Sequence, residues 1–124
     1  MKPFAERIQS ELPVGSILEN PGGGTSTITD YSQAFITYRR GKSSIHVSYE
    51  NLFKAYCKYQ GQQVRASDLK TFAPNVFDSA ARPSGHSCNA TFMFLLLGRL
   101  GLAGEFEGKG VRGGPLLRST IMTP

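Results

Sequence analysis

His46, Cys57, His86 and Cys88 are the only histidines and cysteines in this chain of 124 residues, and together they would match the ligand number of a structural zinc. Zinc fingers and ribbons hold their ligands in closely spaced pairs, a spacing these four do not follow. Cys57 also falls in an amphipathic helical pattern, where a thiol packs as a small apolar group. No metal and no other cofactor is expected, and the two thiols are expected to be unlinked. His86 and Cys88 suggest a base with its nucleophile, but two residues apart on a forming helix they point about 160° away from each other. Hydrolysis would then have to centre on His86 with Asp78 or Glu50 as its carboxylate, and a hydrolase or nuclease of that kind is the third reading of the chain.

Cationic side chains offer a different chemistry. Lys and Arg number 14 against 9 Asp and Glu, a formal charge of +5, which attracts polyanions over long range. Arg39, Arg40 and Lys42 gather on one turn and Lys109, Arg112 and Arg118 on another, and residues 31–49 and 108–124 contain no acidic residue. Cationic hairpin tips beside glycines follow a phosphate backbone without demanding a base sequence, so these six residues are the expected contacts to DNA or RNA. Lys54, Lys58, Arg65 and Lys70 would extend that surface. Tyr31 and Tyr38, beside the basic turn, are the expected stacking platforms. Tyr49 and Tyr56 share a helical face with Leu52 and Phe53 and belong to the core. The competing account of the basic turns is that they keep edge strands from pairing.

Two glycine motifs dissolve on inspection. Asn20-Pro-Gly-Gly-Gly-Thr lacks the Lys-Ser/Thr ending of a phosphate-binding loop and precedes a strand pattern instead of a helix, so it reads as a turn. Gly98-Arg-Leu-Gly101 matches the four-letter loop of KH domains, but that loop joins two helices; here it ends one.

The elements that must position these groups follow from periodicity. Phe4, Ala5, Ile8 and Leu12 recur on one face of a segment that Pro13 terminates, which predicts a helix over 3–12. Ile17 and Leu18 make a short strand, and 25–29, 34–39 and 44–47 alternate or are β-branched enough for a small antiparallel meander with turns at 30–33 and 40–43. Ser48 caps a helix bearing Leu52, Phe53, Tyr56 and Tyr59 that Gly61 ends. An extended piece around Val64 follows, then a short helix capped by Ser67, running through Phe72 and stopped by Pro74. Residues 78–85 have loop composition and are the expected mobile segment. Residues 105–109 and 116–120 are expected to pair as a hairpin across 110–115.

Between them lies the stretch Gly85-His-Ser-Cys-Asn-Ala-Thr-Phe-Met-Phe-Leu-Leu-Leu-Gly-Arg-Leu-Gly101. At helical spacing its apolar residues cover almost the whole circumference, leaving a narrow stripe of Ser87, Thr91 and Gly98 flanked by Phe94 and Leu95. Such a helix is either central to the fold or shared with a second copy, and those five residues are the expected homodimer interface.

The order from residue 48 onward, helix, extended piece, short helix, long helix, hairpin, resembles a winged helix. The resemblance implies an architecture; base reading by the long helix is not expected, because it presents no polar face to base edges. The expected whole is a single α+β domain over 1–124, with a small antiparallel sheet, a buried long C-terminal helix and a final hairpin. The apolar run at 92–97 is too short to span a bilayer and the N-terminus lacks a signal-peptide core, which points to a cytoplasmic protein without a membrane partner. The favoured function is a non-catalytic nucleic-acid-associated accessory protein of weak sequence specificity, ahead of a protein-interaction module that homodimerises through the apolar helix.

Overall fold

In the computed structural model, described over residues 2–104 and 118–120, a helix α1 (Lys2–Glu11) leads into an antiparallel meander of β1 (Ile17–Glu19), β2 (Thr25–Tyr31), β3 (Phe35–Arg40) and β4 (Ser43–Ser48). The helical half follows as α2 (Tyr49–Tyr59), α3 (Ala66–Phe72), α4 (Pro74–Phe77) and α5 (Cys88–Arg99). A two-stranded sheet of β5 (Gln63–Arg65) and β6 (Arg118–Thr120) completes the described residues. This is a small single-domain α+β fold, as expected from the patterning.

Alternation builds the larger sheet. Ile28, Ile36, Tyr38, Ile45 and Val47 face inward and are buried, while the residues between them face out. The β3–β4 connection is the two-residue turn Gly41-Lys42, with Arg40 opposite Ser43 and Gly41 at φ +60°. A glycine at the first of two turn positions suits a type II′ hairpin, whose twist matches that of the strands. The glycine run at 20–24 is the β1–β2 turn: the Asn20 N–H donates to Gly24 O at 3.0 Å, and the Ser26 hydroxyl donates to the Asn20 side chain at 2.8 Å.

The β2–β3 ladder carries one irregularity. Ile28 pairs with Tyr38 but Asp30 pairs with Thr37, so Thr29 is an extra residue, a β-bulge. Strict alternation from the buried Ile28 would turn Asp30 inward. The bulge resets the phase and leaves Asp30 exposed on the outer side, with Tyr31 facing in opposite Ile36.

α5 runs through the core. Asn89 to Phe94, Leu96 and Leu97 are buried, and the Phe92 ring stacks on Tyr38 with centroids 3.9 Å apart. Its end is a Schellman motif: Gly101 has φ +74°, Leu102 N–H donates to Leu97 O at 2.7 Å and Gly101 N–H to Gly98 O at 3.1 Å. Helix termination therefore accounts for the Gly98–Gly101 motif.

Several local expectations are corrected. α3 begins at Ala66 with no cap from Ser67; instead the Asp68 carboxylate accepts the Arg65 N–H at 2.8 Å. Pro74 stops α3 and also opens α4, where its missing N–H costs nothing. Residues 78–85, expected to be a loop, form one outside helix and strand, and it is densely hydrogen-bonded together with Ser87. Ser79 Oγ lies 2.8 Å from Ser87 Oγ and accepts the Ser87 N–H at 2.9 Å, and Gly85 N–H donates to Ala81 O at 2.8 Å. Residues 105–109 of the expected hairpin, with its turn, lie outside the described residues, and β6 takes β5 as an antiparallel partner. No helix among the described residues is long and apolar enough to cross a membrane.

Candidate functional site

The outer face of the sheet assembles the chemistry. Phe35, Thr37 and Arg39 alternate outward along β3, and β4 sets His46 directly opposite Thr37. Because Asp30 also pairs with Thr37, one rung across three strands reads Asp30, Thr37, His46. The Thr37 hydroxyl lies 2.8 Å from His46 Nδ1, which fixes the ring and leaves Nε2 for a further partner.

Segment 78–87 folds beside this face and makes it a cleft. A space of about 590 Å³ is lined by Asp30, Phe35, Thr37 and His46 on the sheet side and by Pro83, Ser84 and His86 across from them. Ser32 and Ser44 add two more hydroxyls. The far wall is held by close backbone approach: a Cβ on Gly85 would come within 2.0 Å of Asp78 O and 2.8 Å of Pro74 O. Only glycine fits there, so the turn that presents Ser84 and His86 is tied to its sequence.

Behind this face lies a buried polar link. The Tyr38 hydroxyl donates to Asn89 Oδ1 at 2.7 Å, and Asn89 Nδ2 donates to Val76 O at 2.8 Å. Strand β3, the start of α5 and α4 are thereby joined through satisfied polar groups. Burial, ahead of the neighbouring Cys88, pushes the Tyr38 hydroxyl far above its ordinary range.

The expected stacking platforms are not available. Tyr38 is fully buried, and Tyr31 is half-buried with its hydroxyl donating to Leu12 O and its ring stacked on Tyr49. Burial raises the Tyr31 hydroxyl to about 12, with Tyr49 adding to the shift. The exposed ring on this side is Phe35, at 47% exposure. Its signal was present in the alternation of Phe35, Thr37 and Arg39 against Ile36 and Tyr38, because one face of that strand had to be outward.

Of the expected phosphate contacts, Arg39 and Lys42 are exposed and Arg40 is half-buried, all at the β3–β4 tip. The Arg39 Nε donates to Gly41 O at 3.1 Å within its own turn. Among the described residues the ion pairs are Arg7–Glu11 and Lys54–Glu50, so Arg39, Arg40 and Lys42 keep their charge uncompensated there. Arg118 pairs in register with Arg65 at the start of β6, well separated in sequence from that tip, and Lys109 and Arg112 lie outside the described residues. Lys54 is taken by Glu50, whereas Lys58 and Arg65 are exposed and Lys70 is half-buried.

His86 faces the cleft, but neither carboxylate expected beside it lines that space. Asp78 accepts the Ala80 N–H at 3.0 Å and Glu50 pairs with Lys54. The titratable groups that share its space are His46 and Asp30. Cys57 is exposed instead of packed, Cys88 is half-buried, and both are free. No cluster of metal-binding side chains occurs among the described residues. The stripe on α5 is divided: Phe94 is fully buried and Thr91 is 8% exposed in the single chain, Ser87 and Leu95 are half-buried, and Gly98 is exposed.

Comparison with protein-family models, curated proteins and solved structures finds no match to this chain, and none supports the winged-helix resemblance.

Proposed function

We propose that the protein is a non-catalytic nucleic-acid-binding accessory protein of weak sequence specificity, acting in the cytoplasm, with its contact surface on the outer face of β3 and β4. The carrying observation is the uncompensated cationic tip of Arg39, Arg40 and Lys42, continuous with a sheet face of Thr37, Phe35 and His46. Cations on a hairpin tip follow phosphates without reading bases, and an adjoining face of hydroxyls and rings accepts the sugar and base side of a strand. α5 takes no part in this contact, since its side chains are used in the core.

The rival reading, in which α5 pairs two copies, draws on less surface. Phe94 and Thr91 are covered within the chain, which leaves Ser87, Leu95 and Gly98 for such a contact.

Fluorescence anisotropy with mixed-sequence single- and double-stranded DNA and RNA tests the proposal. Binding should weaken steeply with salt, and removing one phosphate-neutralising cation should reduce the log–log salt slope by about 0.7 on a single strand. Reversing charge at Arg39, Arg40 and Lys42 together should lower affinity by more than about tenfold, since cations held near phosphates supply most of sequence-independent binding. A wild-type protein with no salt-sensitive binding to any of these polymers removes the proposal.

A further inference from the structure

We infer that the cleft between the outer sheet face and residues 83–86 is a pocket for one unpaired nucleobase that carries an exocyclic amino group, stacked on Phe35 and bounded by His46 and His86. The inference rests on the nucleic-acid reading and sharpens it to single strands.

Three features of the cleft point to a base. Phe35, His46 and His86 bring three flat rings to one space, and Phe35 is an exposed ring that the chain's own core leaves uncovered. Aromatic stacking accepts any base through its π-face. Between the rings stand the hydroxyls of Thr37, Ser44 and Ser84, which donate or accept as needed along a base edge.

The third feature is Asp30. Among the described residues it is the one carboxylate lining the space, and it is turned there by the Thr29 bulge against the phase of its strand. A carboxylate only accepts hydrogen bonds, so it favours a base edge that presents an amino group, as cytosine does, over one that presents only a carbonyl at that position, as thymine and uracil do.

Size and direction agree with this. A volume of about 590 Å³ lies within the usual span of ligand pockets. Arg39 follows Thr37 by two residues on the same face of β3, about 7 Å along the strand. A base in the cleft therefore has its phosphate on the side of the cationic tip. The wall opposite is held by the Gly85 approach and the Ser79–Ser87 bond, so the pocket exists before the ligand arrives. Paired bases inside a duplex present no free face to such a cleft.

The test uses the full chain and two measurements. Labelled (dC)12, (dT)12 and a mixed 12-base-pair duplex are titrated by anisotropy against wild type, Phe35→Ala and Asp30→Asn. Both substitutions replace exposed side chains. Phe35→Ala should weaken (dC)12 by about tenfold, the scale of one stacked base, and should weaken the duplex by clearly less, because paired bases do not enter the cleft. Asp30→Asn should erase the preference for (dC)12 over (dT)12. Cytidine, which has no phosphate, is then titrated while the His46 and His86 ring signals are followed by NMR. Shifts of both rings in wild type, lost in Phe35→Ala, support the pocket even if no polymer binds, which separates its fate from that of the proposed function. Salt-sensitive polymer binding with (dC)12 unaffected by Phe35→Ala, or with cytidine leaving both rings unmoved, overturns the pocket.

Discussion

β3 and α5 touch each other through the stacked rings of Tyr38 and Phe92, yet they use their side chains in opposite ways. β3 divides its residues by alternation: Ile36 and Tyr38 join the core while Phe35, Thr37 and Arg39 remain outside. α5 divides almost nothing, because its residues from Asn89 to Phe94 are all buried. The more conspicuous segment in composition is therefore the poorer source of function. A strand half-buried on one face keeps half of its chemistry for solvent, whereas a helix surrounded on every side spends its polar groups on internal bonds, as Asn89 does with Tyr38 and Val76.

The contrast breaks most sharply at Gly85, which holds the wall facing β3. Gly85→Ala should cost more than about 3 kcal/mol or prevent folding, because the new methyl meets three carbonyl oxygens that have little room to retreat. Urea denaturation reads the loss, and an Ala variant as stable as wild type would show that segment 78–87 yields easily.

On α5, Phe94→Ala should lose about 3–5 kcal/mol by leaving a cavity in the core. Thr91→Arg should also unfold the chain, since it buries an unpaired charge at a site only 8% exposed. If α5 were a dimer seam instead, Thr91→Arg would give a folded monomer by light scattering. Tyr38→Phe, at the joint of the two elements, should cost about 1–3 kcal/mol by leaving Asn89 Oδ1 buried without its donor.

High pH probes the same interior. Tyr31 holds its proton up to about 12 in the folded chain through burial and then Tyr49, and Tyr38, Tyr49 and Tyr59 shift the same way, burial first in each. The unfolded chain releases these protons near the ordinary value of 10.0. Stability from these groups is thus complete below pH 10 and declines as pH rises toward 12, which circular dichroism melts at stepped pH would record. The smallest expected effect on stability lies on the outer surface. Charge reversal at the exposed Arg39 and Lys42 should move it by no more than about 0.5 kcal/mol per site, while lowering affinity for polymer.

Periodicity and turn chemistry alone determined most of the elements. The meander, the helices around Leu52 and Phe92, the stop at Gly101 and the cationic tip are local consequences of alternation, apolar spacing and glycine placement. The reading of Tyr31 and Tyr38 as exposed platforms failed because the choice of inward face depends on which partner the sheet packs against, and α5 covers the Tyr38 side. Asp30 illustrates the same limit, since a one-residue bulge reverses which face its side chain joins and no local pattern announces it. His46 and His86 are forty residues apart in the chain. Tertiary packing alone placed them at one cleft, because the segment that carries His86 packs beside the outer face of the sheet that carries His46.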